Sequence, residues 1–280
     1  MSVFHNNALI GSGGGAAAAA AAGPTKSLRF NGSDTPELTR TPSSAGNTKT
    51  FTISFWTKRS FVSASGFHMV VQTDTQYHNI FRIFFSQGKL RVQQSDQDAG
   101  GSVRYDLLTT QVFRDPSAWY HIVVAVDTTQ STASDRVKLY LNGAQITAFD
   151  TANYPSQNQT SGWNDTEHHR IGREFTTTYG NFYNYEGYLA DFYNIDGSQL
   201  DPTSFGAYDD NGVWQAAEYS GTYGTKGFHL LDFENESTVG HDSSGNENDF
   251  TANNISTSAG AGNDVLFDVP TNGTQSDTGA

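Results

Sequence analysis

The sequence predicts an all-β fold, an antiparallel sandwich of two packed sheets, on three observations. Apolar and polar residues alternate over short runs, and clusters of Gly, Asn, Asp and Ser separate those runs. No segment sustains an apolar repeat of 3.6 residues over the length of a helix, which excludes βαβ folds.

The elements follow in order. SLRFNGSD, starting at Ser27, reads as a strand running into a turn. In KTFTISFWTKRS, Phe51, Ile53 and Phe55 alternate with Thr52, Ser54 and Trp56, giving a strand with one apolar face. FHMVVQTD, NIFRIFFSQGKLRVQQ, AWYHIVVAVD and RVKLYLNGAQI supply further strands. Phe85 to Lys89 and Leu141 to Ala144 read as hairpin corners, the second carrying the Asn-Gly pair favoured in type I′ turns. Antiparallel strands at this spacing bury their apolar faces by packing sheet on sheet.

Composition narrows the function. With 16 Lys and Arg against 29 Asp and Glu, the net charge of −13 disfavours binding to nucleic-acid phosphates. There is no Cys, so neither a disulfide framework nor a thiolate metal site is available. No run approaches the roughly 20 apolar residues of a membrane-spanning helix, so membrane insertion is not expected.

The chain divides into an arm and linker over residues 1–25, a sandwich over 26–255, and a tail over 256–280, whose VLFDVP piece can add an edge strand while the terminal TNGTQSDTGA reads as mobile. The opening MSVFHNNALIG makes a poor secretory signal and reads as part of the mature protein. From Gly11 to Gly23 only Gly, Ser and Ala occur, a spacer with no large side chain for a core to hold.

Four pieces in order resemble the laminin G-like, or concanavalin A-like, jelly-roll family: SLRFNGSD, FTISFWTKRS, WYHIVVAVD with VKLYLNGAQI, and RIGRE leading to YEGYLADFYNIDGSQL. The resemblance covers roughly Lys26 to Leu200 and implies a jelly roll. In that family a strand and a DSSGN-type loop usually come before the SLRF strand. Here GFHLLDFENESTVGHDSSGNENDFT follows the GYLADFYN strand. Two arrangements are open: residues 228–255 complete the same sandwich as a permuted strand and loop, which the need to bury Leu230, Leu231 and Phe233 favours, or they open another module. The arm, the spacer and the segments LDPTSFGAYDDNGVWQ and YSGTYGTKGFHLLDF are similar to virion proteins of tailed, particularly marine, phages.

Chemistry is sparse. A polysaccharide-cleaving jelly roll needs two carboxylates flanking the scissile bond, and no Glu-x-Asp-x-x-Glu alternation occurs. Asp165 and Glu167 fall in what reads as a polar loop with His168 and His169, and adjacent strand residues face opposite ways. Calcium is the candidate ion, because such jelly rolls often hold one at a loop edge. Asp242 and Asn246, in a loop that also holds Asn248 and Asp249, come first; Asp209 and Asp210 come second. The same residue types also close turns on their own backbone. Tyr179, Tyr183, Tyr185, Tyr219 and Tyr223 lie among Gly, Asn and Thr, as on a glycan-binding or protein-binding surface, or packed against a neighbouring loop or subunit.

The expected function is a non-enzymatic structural protein on the exterior of a phage virion: a tail fibre, tail appendage or capsid projection that attaches to a host-surface glycan. Val3, Phe4, Leu9 and Ile10 would dock the arm into other virion proteins. Fibres are commonly trimers, but no heptad run argues for a coiled-coil stalk. The alternative is a secreted, calcium-dependent carbohydrate-binding lectin; a glycosidase ranks third.

Overall fold

A computed structural model describes residues 23–60, 66–74, 79–96, 102–174, 183–231 and 239–270. In chain order the strands are β1 (Ser27–Phe30), β2 (Glu37–Arg40), β3 (Thr50–Arg59), β4 (Phe67–Asp74), β5 (Ile80–Ser86) and β6 (Lys89–Ser95). Next come β7 (Val103–Val112), β8 (Tyr120–Asp127), β9 (Val137–Leu141), β10 (Ala144–Ile146), β11 (Phe149–Asn153) and β12 (His168–Ile171). The last are β13 (Gly187–Asp196), β14 (Gly206–Tyr208), β15 (Trp214–Ala216), β16 (Phe228–Leu230), β17 (Thr251–Asn253) and β18 (Val265–Leu266).

Two antiparallel sheets form the sandwich. The first runs β10-β9-β8-β3-β13-β1-β18, with β16 also on β13; the second runs β11-β7-β6-β5-β4-β12-β2-β17. Their facing sides follow the alternation in the sequence. Phe51, Ile53 and Phe55 of β3 and Ile122, Val124 and Val126 of β8 share one core with Phe81, Ile83 and Phe85 of β5 and Leu90 and Val92 of β6. Phe51 meets Phe81 edge-on at 5.7 Å, locking the sheets ring to ring. Gln87 and Gly88, and Asn142 and Gly143, have positive φ, the backbone that two-residue hairpins demand.

β13 organises the first sheet. Its first half pairs with β1, through Leu189 and Leu28, and its second half with β16, through Tyr193 and His229. Between the halves a bulge interrupts the register with β3, and Asp191 adopts φ 52°. β17 then pairs with β2 in the second sheet, so the segment 228–255 contributes a strand to each sheet of one sandwich. Its Leu230 and Leu231 are in the core, and Phe233 lies outside the described residues.

Within 256–280, the VLFDVP piece adds an edge strand as expected: Val265 and Leu266 pair with β1 at the edge of the first sheet, and Val265 is in the core. Asp165 and Glu167 lie in the loop before β12, but the histidines do not: His168 and His169 open β12, and His169 is buried. Beyond β13, the chain to residue 226 covers the outer face of the first sheet. There Trp214 and Ala216 pack on Trp56, and Phe205 packs on Val123 and Tyr193.

Candidate functional site

The DSSGN loop is a self-closed structure. Asp242 Oδ1 accepts the backbone N–H groups of His229 and Ser244, and Oδ2 that of Asn248, each at 2.9 Å. Asn246 donates its amide to the carbonyls of Gly224 and Gly227, and Asn248 donates to those of Thr225 and Gly227. The Arg40 guanidinium bonds to Asn248 Oδ1, and Asp249 accepts from the backbone of Asp242 at 2.8 Å. The oxygens of Asp242 named for calcium thus close backbone turns, and the Arg40 guanidinium binds beside them at Asn248. Asp209 behaves alike, accepting from the backbone of Asn211 and Val213 and from Gln215, beside an exposed Asp210. Among the described residues no three His, Asp or Glu groups converge to hold a metal.

The tyrosines part ways. Tyr179, like Val3, Phe4, Leu9 and Ile10, lies outside the described residues. Tyr185 is no surface residue. It is buried in the core, edge-on to Phe30 at 5.9 Å, with its hydroxyl bonded to Thr57, and burial pushes its pKa up. Tyr219 and Tyr223 are half-buried against Tyr193 and Phe205, covering the first sheet rather than presenting a free face. Tyr183 is half-buried, edge-on to Phe67 at 4.9 Å.

The histidines are structural. His168 faces outward to Thr41, and His169 points inward against Trp163. Its Nε2 accepts the backbone N–H of Asn164 at 3.0 Å, and its Nδ1 donates to the carbonyl of Glu167 at 2.7 Å. His229 joins the Asp191 bulge to the DSSGN loop. Nε2 lies 2.8 Å from Asp191 Oδ1 and Nδ1 2.9 Å from Ser243 Oγ, with the ring stacked on Tyr193 at 4.0 Å. The order hydroxyl, imidazole, carboxylate is that of a nucleophilic relay. Here Ser243 also lies 3.3 Å from the His229 carbonyl and bonds it through its own N–H, so the group works as a clamp between strand and loop.

A feature the sequence concealed lies on the outer face of the second sheet. Thr251, Thr39, Arg170, Gln72, Arg82, Gln93, Asp106 and Asn153 stand in register across all eight strands. Every member can hydrogen-bond through its side chain. Gln72 and Arg82 at the centre and Asp106 are buried, Arg170, Thr39 and Gln93 are half-buried, and the ends Thr251 and Asn153 are exposed. Arg91 grips Asp106 in two bonds, 2.7 Å from Nε and 2.5 Å from Nη2, while Arg82 lies 3.5 Å from Glu174 and bonds Ser95 at 2.8 Å. The bond to Asp106 raises the pKa of Arg91 further. One row over, Phe84 packs on Phe67, which carries Tyr183, and Arg91 stacks on Phe84 at 5.7 Å.

This architecture agrees with comparison to known proteins. The sequence profile of the concanavalin A-like lectin/glucanases superfamily matches residues 31–198. The chain belongs to this superfamily. The superfamily match begins just after β1 and ends just after β13, so β1, the outer cover, β16 and the DSSGN loop lie outside it. No curated protein matches the chain.

Among solved structures, the fold is similar to that of a Bacteroides ovatus protein proposed to bind carbohydrate, at 12% identity and a TM-score of 0.53, covering 83% of this chain and 59% of that one. The chain thus spans less than two thirds of that protein. A heptameric SAP-like pentraxin from Limulus polyphemus matches at 16% identity and a TM-score of 0.43, over 63% of this chain and 78% of that one. Domains LG4-5 of the mouse laminin alpha1 chain match at 11% identity and 0.43, over 65% and 44%.

Proposed function

We propose that this superfamily member is a non-enzymatic carbohydrate-binding module, carried on the exterior of a tailed-phage particle by its N-terminal arm. The eight-residue polar row supports the binding half. Thr39, Arg170 and Gln93, half-buried, and Thr251 and Asn153, exposed, offer donors and acceptors at strand spacing, which suits the repeated hydroxyls of an extended glycan, while buried Gln72, Arg82 and Asp106 brace the row from beneath. Phe67, at the accessible edge, adds an apolar surface for the C–H face of a sugar ring.

Holding is favoured over cutting. Glycoside hydrolysis needs a carboxyl group on each side of the scissile bond. Asp106 is taken up by Arg91 and Glu174 faces Arg82, so neither carboxylate stands open to a glycosidic oxygen.

The virion half rests on the arm, an apolar peptide tethered by a Gly and Ala spacer to a sandwich of low charge density. Many copies on one particle would make weak contacts effective through avidity. The test of binding is a glycan array probed with the full chain and with Gln93→Ala and Phe67→Ala. A loss of about tenfold in affinity for the selected glycan, near 1.4 kcal/mol, supports the row; unchanged binding in both variants moves the site elsewhere. Deleting Met1 to Gly23 should prevent incorporation into particles while the sandwich still folds, and normal incorporation would remove the anchor from this reading.

A further inference from the structure

We infer that Trp119, Lys58 and Tyr188, on the outer face of the first sheet, form a second binding site that takes a carboxylated sugar, and that Asp268 of this chain occupies the place of the sugar's carboxylate. The class of ligand rests on the carbohydrate-binding reading; the site lies on the opposite sheet from the polar row.

Strand pairing builds the shelf. β3 and β13 set Lys58 directly across from Tyr188, and the Lys58 ammonium lies 5.4 Å from the centre of the Tyr188 ring. Trp119, which leads into β8, meets Tyr188 edge-on at 6.4 Å. All three residues are partly exposed, the Lys58 side chain by 19%, so the site is a shelf at the surface rather than a sealed core.

The occupant reveals the chemistry. Asp268 Oδ1 accepts from the Trp119 indole N–H at 3.2 Å, and Oδ2 receives the Lys58 ammonium at 2.6 Å. An indole donor and a cation thus converge on the two oxygens of one carboxylate. Next to it Phe267 is 79% exposed, the most exposed large apolar side chain among the described residues, with the Lys26 ammonium 5.4 Å from its ring. A carboxylate, donors to match it and accessible ring faces beside it are what a hexuronate presents in complement: an acid group on a ring whose faces are C–H bonds.

Asp268 is also placed to yield. It lies two residues past β18, which pairs with β1 at only two positions, Ser27 with Leu266 and Leu28 with Val265. Its backbone is tied by Ser27 Oγ to its own carbonyl, a bond that turning the side chain away need not break. The Asp268 side chain is 41% exposed, and exposed ion pairs contribute about 0–1 kcal/mol, so a ligand carboxylate that adds ring contacts competes on favourable terms.

The test is calorimetric titration of the full chain with oligogalacturonate and with its methyl ester, which removes the charge and adds one methyl group per residue. Asp268→Ala should bind the acid form about tenfold more tightly than the parent chain, a gain of 1.4 kcal/mol, and Asp268→Asn should move affinity the same way. Lys58→Ala and Trp119→Ala, with urea unfolding confirming that they fold, should each lose that binding, and the ester should bind far less. Equal affinity of the parent and Asp268→Ala, or of acid and ester, overturns the inference. So does loss of binding in Gln93→Ala with retention in Trp119→Ala, which would place the oligomer on the polar row and leave the proposed function standing. If the array finds neutral glycans on the polar row while no variant binds the acid, the shelf alone is refuted.

Discussion

The imidazole of His229 lies 2.8 Å from the carboxylate of Asp191, and this contact ties the bulge of β13 to the strand that closes the sheet beside it. A carboxylate accepts, so Nε2 carries the hydrogen and Nδ1 accepts from Ser243. Both partners are nearly buried. Removing one leaves the other buried without its partner, at a cost of about 2–4 kcal/mol. Asp191→Ala should therefore lower the urea unfolding midpoint and raise amide exchange in Phe228 to Leu230 more than in β3 and β8. Uniform acceleration of exchange across both regions would show that β16 is not separately secured by this contact.

Acid should destabilise the fold through three buried histidines. Burial pushes His121 and His169 down to about 3; His68 is lowered to about 4 by burial and by Arg59. The geometry at His121 agrees: Nδ1 accepts from the Trp214 indole, a donor only, so a second ring hydrogen would face another. Below about 6.5 the unfolded chain takes up protons that the native state refuses until far lower pH, so stability is complete above that value and falls as pH drops toward 4. Each histidine contributes a slope of up to about 1.4 kcal/mol per pH unit in that window. Urea unfolding at a series of pH values checks it. His121→Gln should be less stable at neutral pH yet show a shallower acid slope, and an unaltered slope would clear His121 of any part in it.

Asp242 holds its loop through three backbone N–H groups, a role calcium cannot assume. Asp242→Ala should cost about 2–4 kcal/mol, since the Asn248 and His229 N–H groups are left without their acceptor in a largely buried setting. Adding calcium should leave the Tm of the parent chain unchanged, and chelator should not lower it. A calcium-dependent rise in Tm that disappears in Asp242→Ala would establish the metal site instead.

These contrasts show what one-dimensional pattern conveys. Phe51, Ile53 and Phe55 announce β3 because alternation is local, and Asn142-Gly143 announces its hairpin because the turn needs positive φ. β7 is harder to see. Tyr105, Leu107 and Thr109 face inward, but Leu108 lies between them on the outer side and blurs the alternation. β17 and β18 are only three and two residues long, and although the loop before β17 and the apolar VLFDVP piece mark strands, their partners lie more than two hundred positions away, so the sheets they join are not written nearby. Tyr185 sits among Asn, Tyr and Glu like a surface residue, yet the chain turns there into β13 and its ring drops onto Phe30. The polar row combines the registers of eight strands, and no stretch of sequence contains it.

The outer cover offers a test that separates backbone strain from packing. Gly143 closes the β9–β10 hairpin at φ +83°, and a Cβ there would come within 2.4 Å of Trp214 Cε3. Gly212 has a similar φ of +75° with nothing within 4 Å of a Cβ. Alanine at either position carries the strain of a left-handed backbone, about 1 kcal/mol. At Gly143 it must also push Trp214 off His121 and Trp56, breaking the indole bond and the packing of the cover. Gly143→Ala should therefore lose at least about 2 kcal/mol more than Gly212→Ala in urea unfolding, the scale of an overpacked core joined to a lost buried hydrogen bond. It should also red-shift tryptophan emission as Trp214 gains water, whereas Gly212→Ala keeps the parent spectrum. Equal losses in the two variants would mean that Trp214 yields freely, and that the cover over the first sheet is loosely seated.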